Sequence, residues 1–190
     1  MKDPRERLRL RKLVRFLREN GAERIEHSNE SLLDHLLETR GVLESWGARR
    51  ELCDAGLFHS VYGTQFLGDE LIGTDRRPEL RALIGEDAEA VAYLWHGIKR
   101  ETLANNLDRE DDLRIEFRDG SEVPITRQQF EDLVNLMVAD AVEQLPRRLP
   151  ENVERQQGWL TPFLPLALPA GARAAQEVFE RYGPRASSPS

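Results

Sequence analysis

The chain has 190 residues, 39% of them apolar, which is enough for one compact core, and a formal charge of −7. Its single cysteine, Cys53, excludes an internal disulfide framework, and no apolar run reaches the about 18 residues needed to span a bilayer. These features predict a soluble, cytoplasmic protein with no membrane partner.

The first eighteen residues hold Lys2, Arg5, Arg7, Arg9, Arg11, Lys12, Arg15 and Arg18 against Asp3 and Glu6, a segment of +6 on a remainder of −13. Such a start reads as a solvated helix face, with a partner-binding or nucleic-acid arm as the alternative. Two acids and no serine argue against a transit peptide. An acidic body is poorly suited to wrapping a polyphosphate, so no nucleic-acid partner is expected.

Leu8, Leu10, Leu13, Val14, Phe16 and Leu17 predict a helix over 5–18, stopped by Asn20-Gly21. A second helix is predicted from 29 or 30 to 46 and a third over 49–62, closed by Tyr62-Gly63-Thr64. The polar stretch 65–77 reads as a surface loop. Pro78 opens a short helix to Ile84, and Gly85 separates it from a longer one over 86–104. The period then changes to two: Leu113–Phe117, the Asp119-Gly120 turn and Val123–Thr126 predict a β-hairpin over about 113–126. Thr126 is suited to cap a helix over 127–145. Prolines at 146, 150, 162, 165 and 169 then mark a Pro-rich extension with one helix over 170–182 and a frayed tail. The expected division is a basic N-terminal helix and loop (1–28), a central domain (29–146) and the extension (147–190).

Three helices place a metal-capable side chain on a face that should be apolar. His35 lies one turn from Leu32, His59 continues the row Leu52, Ala55, Gly56, and Asp140 continues Leu133, Leu136, Met137. A buried carboxylate needs a cation, a set of donors or a cleft. Each histidine alone reads more readily as a hydrogen-bonded core residue than as a ligand.

Residues 35–59, HLLETRGVLESWGARRELCDAGLFH, together with ELRALIGEDAEAVAYLWHGIKR and LMVADAVEQL, give the chain a resemblance over about 30–145 to the HD superfamily of metal-dependent phosphohydrolases. The nearest likeness is to the hydrolase domain of enzymes that degrade ppGpp. The resemblance implies an all-α, HD-domain-like helical bundle with a small β-hairpin insertion, and makes His35, His59 and Asp140 metal ligands. It also marks departures: Ser60 stands where the family has Asp after its second His, and Gly63-Thr64 where the ppGpp hydrolases have a Glu-Asp pair. The segment AGLFHSVYGTQF resembles the hallmark of an uncharacterised HD-like group with His-Ser in place of His-Asp.

Other candidates follow from position. His27 is read as a third nitrogen donor or general base, against a capping or surface role. Ser60 and Tyr62, with Thr64, follow His59 closely enough to line its cleft. Arg76 and Arg77 are candidates for a substrate anion, against a solvated loop pair. Asp69, Glu70 and Asp75 are candidates to restore the carboxylate lost at Ser60, and His96 is expected to pack. Three functions are carried forward. The first is an HD-like hydrolase of a phosphorylated small molecule or nucleotide, using a divalent metal (Mn, Fe or Zn). The second is a non-haem iron oxygenase or lyase using the His-His-Asp set. The third is a metal-free protein that binds a ligand or partner. The oligomeric state is left open, a homodimer included.

Overall fold

The computed structural model describes residues 3–27, 30–65, 68 and 70–184. The protein is all-α with a small β-hairpin, as expected. Its helices are α1 (Pro4–Glu19), α2 (Leu32–Ser45), α3 (Arg50–Phe58), α4 (Arg77–Ile84), α5 (Glu86–Gly97), α6 (Arg127–Gln144), α7 (Pro150–Leu160) and α8 (Pro169–Tyr182). Two antiparallel strand pairs accompany them: β1 (Glu26–His27) with β2 (Glu30–Ser31), and β3 (Arg114–Glu116) with β4 (Glu122–Pro124).

Local chemistry sets the ends. Asp3 accepts from the Arg5 amide ahead of Pro4, opening α1. Ser31 caps α2 by accepting from the Asp34 amide, so that helix begins later than predicted. Thr126 and Gln129 form a reciprocal capping box at the start of α6. The third predicted helix is shorter than expected. After Phe58 the backbone turns twice, and the Val61 carbonyl is taken by the amides of Leu71 and Ile72. The helix α5 likewise stops at Gly97 because the hairpin claims the backbone beyond it: Arg118 donates to the Gly97 carbonyl and Lys99 to that of Glu116, each at 2.8 Å. Gly97 permits this approach, since a Cβ there would stand 2.6 Å from the Phe117 ring.

The helices α2, α3, α5 and α6 pack on one another around Leu36, Leu57, Phe58, Trp95, Leu133 and Leu136. One apolar cluster runs from Leu13 on α1 to Phe179 on α8, so the three expected segments share a core. Leu13 and Leu17 bury one side of α1, while Arg5, Arg7, Arg11, Lys12, Arg15 and Arg18 remain exposed. The C-terminal extension is more ordered than predicted. It contains the whole of α7, whose Pro150 occupies a first-turn position where no amide donor is needed.

Buried charges away from the centre of the bundle are paired. Asp54 accepts from Arg9, Asp132 from Arg49, and Glu89 from Arg77, Arg81 and the Tyr62 hydroxyl. These pairs tie α1 to α3, the α2–α3 connection to α6, and α4 to α5. Among the described residues no helix is long and apolar enough to cross a membrane.

Candidate metal centre

His35 and His59 face each other because α2 and α3 pack directly on one another. A Cβ on Gly56 would lie 2.5 Å from a Leu43 methyl, which would have to turn aside to admit it. His35 leaves the middle of α2, His59 sits at the C-terminal cap of α3, and Asp140 projects from α6. Their inward atoms form a small triangle. His35 Nε2 lies 3.1 Å from His59 Nε2 and 3.4 Å from Asp140 Oδ1, and His59 Nε2 lies 3.7 Å from that oxygen. All three residues are buried.

Both imidazoles are held with Nε2 inward. His59 Nδ1 donates to the Gly56 carbonyl at 2.7 Å, and His35 Nδ1 to Glu143 Oε2 at 2.7 Å. Glu143 is held in turn by Arg147, which also pairs with Glu30 at 2.7 Å and Glu38 at 3.3 Å. Asp140 Oδ1 accepts from the Gln144 amide at 2.7 Å, and Oδ2 faces Arg100 Nη1 at 3.6 Å. The Arg100 guanidinium lies over the Trp95 ring, 4.0 Å from its centroid.

Two ring nitrogens and a carboxylate oxygen this close demand a positive charge among them. With no metal, a proton answers that demand. Burial works against a charged His35, but Asp140 and Glu143 outweigh it and raise its pKa to about 9. His59 is pushed down to about 3 by burial and by the charge on His35. Asp140 is held well below the usual carboxylate range: burial opposes this, and His35 and Arg100 prevail. A divalent ion meets the same demand. Bonds of about 2.1 Å at angles between octahedral and tetrahedral set donors about 3.0–3.4 Å apart. The observed triangle is close to that spacing, so the residues fit a metal with a small adjustment at Asp140.

The triangle lines a cavity of about 630 Å³. Ser60 and Thr64 also line it, and α7 contributes Asn152, Arg155, Gln156 and Trp159. Its walls carry Arg100, Arg148 and Arg155 against one carboxylate, Asp140, in a chain whose acids outnumber its bases.

The structure corrects several expectations. Arg76 and Arg77 do not line the cavity. Arg76 bonds Glu79 and Asn20, and Arg77 bonds Glu89 and stacks on Tyr93, because buried Glu89 needs compensation and α4 supplies it. Tyr62 is also absent from the cavity; its hydroxyl is spent on Glu89 at 3.1 Å. Glu70 and Asp75 do not reach the cavity, and Asp69 lies outside the described residues. The backbone of His27 pairs with Glu30 across the β1–β2 turn, while its side chain lies outside the described residues. His96 packs, with Nδ1 donating to the Gly63 carbonyl at 3.0 Å. Glu143, Gln144, Arg100 and the α7 wall were missed. Glu143 and Gln144 were accessible in principle, standing three and four positions beyond Asp140 on one helix face.

Residues 16–100 match a family model described as a domain of unknown function (DUF6817). The matched stretch holds His35, His59, Ser60 and Arg100 and stops short of Asp140 and α7. No curated protein matches the chain.

Proposed function

We propose that the protein is an HD-like, metal-dependent hydrolase acting on a phosphorylated small molecule. The observation that carries this reading is the convergence of His35, His59 and Asp140 on a cavity whose other charged lining residues are arginines. His35 Nε2, His59 Nε2 and Asp140 Oδ1 would hold the ion. A divalent cation supplies Lewis-acid polarisation and a lowered water pKa.

The chain's own groups account for the rest. Arg100, fixed on Trp95 beside Asp140, offers a guanidinium to a phosphoryl oxygen and neutralises charge that grows as the ester bond breaks. Ser60 and Thr64 offer hydroxyls to the same cavity. The reaction adds water across a P–O ester bond, giving inorganic phosphate and an alcohol. Water's oxygen joins phosphorus, and one of its protons goes to the leaving oxygen. Glu143 and Gly56 do not touch substrate in this scheme; they keep the two imidazoles oriented.

The test is elemental analysis of protein purified without chelator, followed by phosphate release from a panel of phosphoesters with Mn²⁺, Zn²⁺ or Fe²⁺. Bound metal near one equivalent, with turnover lost in His59→Ala, supports the reading. Protein that neither retains nor takes up metal refutes it and favours a metal-free binding protein. One observation favours a second reading: the triangle has two imidazoles and one carboxylate, with serine at the adjoining position, which is the donor set of non-haem iron oxygenases. Selective retention of iron with oxygen-dependent turnover would support that alternative.

A further inference from the structure

The helix α7 lies outside both the stretch with family resemblance and the matched family model, yet its residues line the same cavity as the metal donors. Asn152, Arg155, Gln156 and Trp159 fall at i, i+3, i+4 and i+7, so a single face of α7 looks into the cavity. The helix is anchored by fully buried Val153 and Leu160, and it packs mainly on α8 and on the 3₁₀ segment Thr161–Leu166. Trp159 leans on Phe163, ring centroids 5.7 Å apart, which steadies the wall.

Two arginines that line the cavity bond amide oxygens, Arg148 with Gln144 Oε1 at 2.8 Å and Arg155 with Asn152. Arg9, Arg49, Arg76, Arg77, Arg81 and Arg147 all bond carboxylates. Arg155 instead donates to an amide oxygen, Asn152 Oδ1, at 2.7 Å. That bond aims the guanidinium while leaving its charge uncancelled by the amide, the arrangement expected where a ligand brings the anion. The amide of Gln156 adds a donor beside it.

We infer that the α7 face is a second anion subsite, and that the substrate carries, besides its reacting phosphoryl group, a carboxylate or second phosphate held by Arg155 with Asn152 and Gln156. The inference rests on the hydrolase reading for the position of the reacting group. Both charged groups must be held within one cavity of about 630 Å³, so a short spacer joins them. The carbon skeleton between them runs past Trp159.

The probes are non-hydrolysable alkylphosphonates, ω-carboxyalkylphosphonates and alkane-α,ω-bisphosphonates of increasing spacer length, titrated calorimetrically into the full chain with Mn²⁺. The expected result is about tenfold tighter binding by a two-ended probe of intermediate length than by the monophosphonate of equal length. Arg155→Ala should abolish that advantage and leave monophosphonate affinity unchanged. Arg155 is exposed, so the variant should fold, as its circular dichroism will verify. Comparison of the two two-ended series identifies the second anion as carboxylate or phosphate. If the monophosphonate binds and the second charge adds nothing at any length, or if Arg155→Ala leaves the advantage intact, the subsite is refuted while the hydrolase reading stands. If the monophosphonate itself fails to bind, the hydrolase reading and the subsite fall together.

Discussion

Replacing Glu143 with leucine removes the acceptor of His35 Nδ1 while keeping side-chain volume nearly constant. The carboxylate is 1% exposed, so water cannot take its place. A buried N–H left without an acceptor costs about 1–3 kcal/mol. Arg147 is one-third exposed and keeps Glu30 and Glu38, so its loss adds little. The expected destabilisation of metal-free protein is about 2 kcal/mol, or roughly 4–8 °C for a domain of this size. The effect on metal should be larger. With Nδ1 unanchored, the ring is free to turn and to place its proton on Nε2, and loss of such a partner weakens metal binding about 10–100-fold. Glu143→Gln retains an oxygen acceptor and should lie between leucine and wild type. The assay is a competition titration with a chromophoric chelator, run beside urea unfolding of the metal-free proteins. Leucine and wild-type proteins with equal metal affinity would refute the claim that Glu143 orients His35, whatever happened to stability.

Ser60→Asp adds a carboxylate to the cavity lining and should tighten Mn²⁺ binding about tenfold by calorimetry; a folded variant with unchanged affinity would remove Ser60 from the ligand position. Glu89 is buried, which acts to raise its pKa, yet the bonds from Arg77 and Arg81 hold it below the usual range. Its contribution is therefore complete above its unfolded pKa and lost as pH falls through the folded one. Glu89→Gln should cost about 2 kcal/mol at pH 7, and the gap from wild type in urea unfolding should narrow steadily below about pH 4.5. Gly97→Ala drives a methyl into the Phe117 ring and should cost about 2 kcal/mol in thermal unfolding; an unchanged midpoint would mean that the hairpin is not held against α5.

Periodicity made the main helices legible, and the Asp119-Gly120 turn made the hairpin legible, because amphipathic spacing and turn chemistry are local properties. The same logic brought out His35, His59 and Asp140: each interrupts an apolar row, and the rows had to meet in the core. What failed depended on partners remote in sequence. Arg76 and Arg77 looked available because nothing nearby announces that Glu89, on the next helix, is fully buried and claims Arg77. The end of α5 was placed too late because hydrogen bonds to residues 116–118 stop it, and the apolar pattern continues past that point. Five prolines disguised α7, although one at a helix's first turn is compatible with the helix.

The two imidazoles of the centre are governed in different ways. His59 takes its orientation from a carbonyl three residues back on its own helix, a backbone group that no side-chain substitution removes and that is available once α3 has formed. His35 depends on a carboxylate 108 positions away, on a helix that must first dock. One half of the site thus rests on local backbone, whereas the other is exposed to change at Glu143, Arg147, Glu30 and Glu38. Tight cation binding consequently becomes a property of the completed fold, and a partly folded chain presents His59 without the partner that would let it capture a metal.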